Sequence, residues 1–275
     1  MINKLDCNIA LFVPSCDAFS DINTQFFKYF DIFVPWWNKK RYLIVEQKEC
    51  QIQNVSTILT GNDVNWTFRM KRALSKVKEE YLLFLLDDYF IGDPVSEELI
   101  SEAYEVVKKE GLKYYRFNNR PIVKGLTKKY KNYDYLLSIQ NNIRYGIVLG
   151  EGIYRKDFFE ELLGDEDKSI WRIETDRLLD VEKNNGDDID GCVVDRRNIL
   201  CTYNGVLKGK WIPSTLKHFK KIGFPIEQGR RKKQNVFSQL YQKICGFADK
   251  HLSPNQIRKI KKAASKFGIK FTSNQ

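Results

Sequence analysis

Histidine is scarce in this chain: only His218 and His251 occur among 275 residues, too few and too far apart for a zinc cluster. The six cysteines, at 7, 16, 50, 192, 201 and 245, show no paired spacing, so neither a metal clip nor a disulfide framework can be read from them. No stretch approaches the ~20 unbroken apolar residues that span a bilayer. The amino-terminal residues lack the basic and apolar regions of a secretory leader, and the expected compartment is therefore the cytoplasm. Internal repeats and low-complexity tracts are absent as well. With 43% hydrophobic residues, the chain can bury one substantial core plus an appendage. The last absence is of acid: Gly229 to Gln275 carries twelve Lys or Arg against Asp249 alone. The whole formal charge of +11 falls in that segment, and the residues before it are balanced.

What the sequence does contain is a buried-strand signal with an acidic end. Tyr81-Leu82-Leu83-Phe84-Leu85-Leu86 is closed abruptly by Asp87-Asp88-Tyr89. Unbroken bulky residues fit a strand covered on both faces, because a half-solvated strand alternates apolar with polar. Open α/β sheets bind ligands beyond the carboxyl ends of their strands, and two carboxylates there can hold a divalent cation against phosphates. A competing reading makes the pair acids near a helix start, with Asp93 or Ser96 as the cap around Pro94. Upstream, Ile9 to Val13, Tyr42 to Val45 and Val55 to Leu59 read as strands. Thr60-Gly61-Asn62-Asp63 signals a turn into a helix with Trp66, Met70, Ala73, Leu74 and Val77 at helical spacing through Lys78. Strands alternating with helices imply an α/β fold with a mostly parallel, Rossmann-type sheet flanked by helices.

Three collinear segments carry a resemblance. They are Pro14-Ser15-Cys16-Asp17 after the first strand, the helix Trp66 to Leu74, and Leu83 to Phe90 with its acid pair. With Gly152-Ile153-Tyr154-Arg155-Lys156-Asp157-Phe158, Trp171-Arg172-Ile173-Glu174 and Asn204 to Lys210, the chain resembles bacterial polysaccharide glycosyltransferases of the GT-A type over roughly residues 8 to 225. The resemblance implies a GT-A-like catalytic domain, residues 1–225, followed by a basic helical tail, residues 226–275. It implies transfer of a hexose from a nucleotide-diphosphate sugar to a sugar hydroxyl of a lipid-linked surface polysaccharide, with inversion and with Mn²⁺ or Mg²⁺. The usual Asp-x-Asp metal motif reads Leu86-Asp87-Asp88 here. By resemblance Asp88 would ligate the cation, and Asp87 would contact the ribose or a metal-bound water. Glu174 of the Trp-x-x-Glu segment is the candidate base and Asp176 the reserve; the competing reading of Glu174 is an acid favoured at a helix N-terminus. Trp171 would wall the acceptor site or belong to the core. Ser15, Asp17 and Glu46 at strand exits, with Trp66 and Arg69 on the following helix, would line the donor pocket. Trp66 reads equally as core and Arg69 as a helix-face charge. Lys208 and Arg155 would neutralise the diphosphate or stand as solvated charges.

The tail carries two apolar stripes at helical spacing: Val236, Phe237, Leu240, Tyr241, Ile244 and Phe247, then Ile257, Ile260, Ala264 and Phe267. Basic amphipathic helices dock on anionic membrane, which makes residues 229–275 a candidate surface for the inner face of the plasma membrane. Packing of the same stripes on the catalytic domain is the alternative. A nucleic-acid-binding protein would also use such a tail, through Arg230 to Lys233, yet no zinc-finger spacing or RNA-binding signature accompanies it. A sugar-phosphate nucleotidyltransferase would present a Gly-rich basic loop after the first strand, where this chain has Pro14-Ser15-Cys16-Asp17.

Overall fold

The computed structural model describes residues 5–119, 125–181 and 183–235, with the side chains at 174, 175 and 177–180 left out. Four parallel strands open the fold: β1 (Ile9–Pro14), β2 (Arg41–Val45), β3 (Ser56–Leu59) and β4 (Tyr81–Phe84). Between them run α1 (Ser20–Phe33) and α2 (Trp66–Leu74). A short β5 (Tyr89–Ile91) and α3 (Glu97–Glu110) then lead to β6 (Tyr114–Arg116), β7 (Lys129–Tyr130), β8 (Tyr133–Gln140) and β9 (Gly152–Arg155). After α4 (Lys156–Leu163) and α5 (Ile170–Val181) come β10 (Asp188–Asp195), β11 (Thr202–Asn204), the hairpin β12 (Val206–Leu207) and β13 (Lys210–Trp211), and α6 (Pro213–Lys221). The main sheet has nine strands in the order β3-β2-β1-β4-β9-β6-β10-β8-β7, and all but β8 and β9 point the same way. The sheet is thus mostly parallel in strand direction, as expected, with two reversed strands that local pattern did not show.

Alternation of side chains along the buried strands divides the core into two layers. Ile9, Leu11 and Val13 of β1, with Leu83 and Leu85, face α1 and α3. Ala10 and Phe12, with Leu82 and Phe84, face α2, α4 and Ile173 of α5. Both faces are therefore covered, the condition that an unbroken apolar strand anticipates. Phe12, Phe84 and Phe159 meet with ring centroids 5.3 to 6.2 Å apart, so truncating Phe84 to Ala would cost about 3–5 kcal/mol. Ser96 caps α3, its hydroxyl accepting the Leu99 N–H at 3.2 Å, and Gly111 closes the same helix with φ +64°. Asp87 and Asp88 take no part in that cap.

The expected domain break after Phe224-Pro225 is not a break in packing. Ile226 and Gln234 are buried, Tyr29 donates to the carbonyls of Phe224 and Pro225, and Lys28 pairs with Glu227 at 2.9 Å. Contacts with α1 and β13 thus continue beyond that point as far as Gln234. The apolar stripes from Val236 onward lie outside the described residues. Among the described residues, no helix is long and apolar enough to cross a membrane.

Candidate functional site

Chain direction creates the site. From β1 the chain moves outward through α1 to β2 and β3, then returns through α2 to β4 on the other side of β1. With α1 on one face and α2 on the other, strand order reverses between β1 and β4, the arrangement in which α/β sheets take ligands in a crevice beyond the carboxyl ends. Ser15 leaves β1 and Asp87-Asp88 leave the β4 segment at this point. The Ser15 hydroxyl lies 2.5 Å from Asp87 Oδ2 and 2.8 Å from Asn23 Oδ1. The hydroxyl donates to Asp87, and the same oxygen stays within hydrogen-bond reach of the amide of the buried Asn23.

Asp87 is 5% exposed, and burial, joined by the Asp88 charge, holds its carboxyl well above the usual carboxylate range despite the Ser15 hydrogen bond. Burial likewise pushes Asp88 up to about 7, opposed by the positive charge of Arg231. Asp88 is held in place from its backbone: the Gly205 N–H donates to its carbonyl at 2.7 Å, and β5 pairs with β11 immediately after. A Cβ at Gly205 would come within 2.6 Å of the Phe90 ring, so only glycine permits this approach.

A second layer of polar residues knits the neighbouring strand exits. Arg69, 7% exposed, donates to Thr60 Oγ1 at 3.0 Å, Glu46 Oε1 at 2.7 Å and the Ser15 carbonyl at 3.0 Å, tying together the ends of β1, β2 and β3. Glu46 also accepts the Asp17 N–H. Asp17 returns the contact by accepting the N–H groups of Glu46, Gln47 and Lys48 at 3.1 to 3.2 Å. Burial would raise Asp17, yet those backbone donors outweigh it and hold its carboxyl below the usual value. Ser15, Asp17, Glu46, Arg69 and Asp87 thus form one connected network, in which Asp17, Glu46 and Arg69 are occupied with each other.

The other candidates fall at different places. Trp66 stands half-buried at the start of α2 with its ring edge-on to Phe159, 6.5 Å between centroids, at the margin of the core. Arg155 is not at the crevice: β9 runs antiparallel to β4 and pairs Arg155 with Tyr81, which places it at the opposite edge of the sheet, bound to Asp157 at 2.6 Å. Lys208 is exposed in the tight turn between β12 and β13, with φ +50°. Glu174 lies in the second turn of α5, not at its opening, so the helix-start reading does not apply; its side chain is outside the described residues. Asp176 pairs with Lys168 at 2.9 Å and Arg172 at 3.9 Å. Trp171 is 70% exposed on the first turn of α5, which removes the core reading. The loop before α5 is anchored to the start of α2, where the Thr67 hydroxyl donates to the Glu166 carbonyl at 2.9 Å and accepts the Lys168 N–H at 2.8 Å. The amino end of α5 therefore sits on the crevice side of the sheet.

Two residues at this edge escaped the sequence reading. Glu151 directly precedes Gly152, the partner of Phe84, and its carboxylate accepts the Thr202 hydroxyl. The signal was a lone acid between glycines, with nothing to show which edge it would reach. Arg231 arrives from the far end of the chain and reads as one base within a basic run.

Among the described residues, no three His, Cys, Asp or Glu side chains gather into a metal cage. Asp87 and Asp88 instead offer two adjacent carboxylates. That donor set suits Mg²⁺ or Mn²⁺, which take one or two carboxylates and complete their shell with phosphate and water.

No family model matches the chain, and no curated protein matches it. Among solved structures it is similar to S. aureus TarS residues 1–349, at 11% identity and a TM-score of 0.40, covering 69% of this chain and 60% of that one. The same TarS fragment in complex with UDP-GlcNAc aligns at 14% identity and a TM-score of 0.37, covering 56% and 47%. A UDP-glucose pyrophosphorylase complexed with UDP-glucose aligns at 7% identity and 0.39, covering 72% and 92%. The chain spans less than two thirds of the length of the TarS structures it matches.

Proposed function

We propose that this chain is a nucleotide-sugar-dependent glycosyltransferase that moves a hexose from a nucleoside-diphosphate donor to a sugar hydroxyl of a lipid-linked surface polysaccharide, with inversion at the anomeric carbon. The observation that carries the reading is the contact of Ser15 with Asp87 across the strand reversal between β1 and β4, with Asp88 beside it. A buried and a half-buried acid, both pushed toward the neutral form, stand where an α/β sheet of this order receives nucleotides. Collinear motifs from Pro14 to Lys210 point to the same chemistry.

Asp88, with Asp87, would hold Mg²⁺ or Mn²⁺. The cation would supply positive charge to the diphosphate as the sugar–oxygen bond breaks. Ser15 fixes the orientation of Asp87, and the Arg69 network holds the β1 and β2 exits against which a base and ribose would lie. Glu174 would take the proton from the acceptor hydroxyl as that oxygen attacks the anomeric carbon. Arg155 has no part in this scheme, since it stands at the other edge. Docking of the tail on anionic membrane would bring the crevice to a lipid-linked acceptor.

The test is a thermal-shift panel of nucleoside mono-, di- and triphosphates with and without Mn²⁺, followed by turnover of the matching nucleotide sugar. A diphosphate-selective shift that requires Mn²⁺ is expected. Selective stabilisation by a triphosphate, with pyrophosphate release in the presence of a sugar phosphate, would favour a nucleotidyltransferase. Salt-dependent binding to DNA or RNA with no nucleotide response would favour a nucleic-acid partner.

A further inference from the structure

The first residues of the basic tail pack on the body of the fold. Residues 231–234 lie along β13: the Trp211 N–H donates to the Lys232 carbonyl at 2.9 Å, and the Gln234 N–H donates to the Trp211 carbonyl at 2.9 Å. A single parallel bridge pairs Trp211 with Lys233 beside the β12–β13 hairpin. The fully buried Trp211 pins the preceding turn as well, its indole N–H donating to the Gln228 carbonyl at 2.7 Å. This registry fixes the backbone from which Arg231 projects.

The Arg231 side chain is 15% exposed and turned inward. Nε and Nη2 hold the Asp21 carboxylate at 2.6 and 2.7 Å, Nη2 also reaches the Ala18 carbonyl at 2.6 Å, and the guanidinium lies 4.6 Å from the centroid of Phe19. These contacts come from the turn and helix directly after β1, so the charge is fixed beside the β1 exit. Nη1 points toward the hairpin turn, 3.9 Å from where a Cβ on Gly209 would lie. The segment that Arg231 holds follows directly on Ser15, whose hydroxyl meets Asp87.

We propose that Arg231 faces the diphosphate of the donor and supplies the fixed positive charge on the side of the crevice opposite the cation. The inference rests on the nucleotide-sugar reading. Two carboxylates and a divalent cation sum to zero, so a diphosphate placed against them still needs a cationic partner. Lys208 sits on an exposed turn, where a flexible, solvated ammonium contributes little. A guanidinium oriented by Asp21 and stacked on Phe19 has already lost its conformational freedom; Asp21 and Ala18 take Nε and Nη2, which leaves the N–H groups of Nη1 for phosphate oxygens. The tail is then not a detachable basic extension from residue 229: its first residues complete the donor site.

The experiment compares full-length wild type with Arg231→Gln and Arg231→Lys. Calorimetry measures binding of the nucleoside diphosphate that gives the largest shift in the panel, and of its monophosphate, both in Mn²⁺. Arg231→Gln should weaken the diphosphate about tenfold or more and leave the monophosphate within about twofold, while Arg231→Lys recovers part of the loss. Unchanged diphosphate affinity in Arg231→Gln overturns the proposal. Equal loss for both ligands, or a collapse of thermal stability in Arg231→Gln that Arg231→Lys repairs without any difference in diphosphate affinity, also overturns it by making Arg231 a structural tie. If no nucleoside diphosphate binds wild type, the functional reading fails first and this inference with it.

Discussion

Asp87 and Asp195 are both buried, at 5% and 0% exposure, in opposite surroundings. Asp195, at the end of β10, accepts from the Arg197 guanidinium at 2.8 to 3.2 Å, from the Arg197 N–H at 2.7 Å and from the Tyr115 hydroxyl at 2.6 Å. Arg197 in turn bonds Glu102 at 2.9 Å and lies 3.6 Å from the centroid of the Tyr135 ring. Every charge in that cluster has a partner supplied by the fold. Asp87 has a hydroxyl and a second carboxylate as neighbours, with Arg231 acting on it through charge. A carboxylate matched within the protein acts as a strut, whereas a pair left short of positive charge is prepared for a cation from outside.

Substitutions at the two acids should separate these roles. The largest effect expected is that of Asp88→Asn, which should lower nucleotide-sugar turnover at least about 10³-fold with the fold intact by circular dichroism. Glu174→Gln should lower kcat about 10²- to 10³-fold while donor affinity holds; a matching loss of donor affinity would make Glu174 a binding residue instead. Asp195→Asn should do the reverse of Asp88→Asn. It should destabilise by about 3 kcal/mol in denaturant unfolding, the low end for a broken buried pair because Arg197 is partly exposed, and retain the Mn²⁺ response.

The pH dependence of stability sharpens the contrast. Folding raises Asp88 from an ordinary 3.8 to about 7, so its favourable contribution is complete below about pH 4 and is lost as pH rises through about 7. In chelator, the melting temperature of wild type should therefore fall more steeply between pH 5 and 8 than that of Asp88→Asn. A parallel pair of curves would mean that Asp88 is not desolvated. The smallest effect on transfer should come from removing residues 236–275, which should abolish flotation with anionic liposomes and change turnover of a soluble acceptor by less than about twofold. Undiminished flotation would remove the membrane proposal.

The parts of this arrangement that were legible in the sequence are those that depend on local pattern. Strands at 9–13, 42–45 and 55–59 are observed within a residue or so: the first two are apolar runs covered on both faces, and the third is a mostly exposed edge strand marked by the turn that follows it. The acidic exit after Leu86 was legible for the same reason. Direction was not. Gly152 to Arg155 entered only through the resemblance, nothing local says that it runs against β4, and that reversal carries Arg155 to the wrong edge. Contacts between distant segments were equally hidden: Ser15 meets Asp87 across 72 positions, and Arg231 meets Asp21 across 210. A run of bases after Gly229 looks like a solvated tail because sequence pattern records charge and not the tryptophan edge on which the chain comes to lie.

Mn²⁺ binding to the full-length protein in the presence of its nucleoside diphosphate, followed through the EPR signal of free Mn²⁺, tests the acid pair most directly. About one Mn²⁺ per chain is expected for wild type and for Asp195→Asn, and none at the same concentrations for Asp88→Asn. Equal Mn²⁺ binding by Asp88→Asn and wild type would contradict the assignment of the acid pair as the cation site.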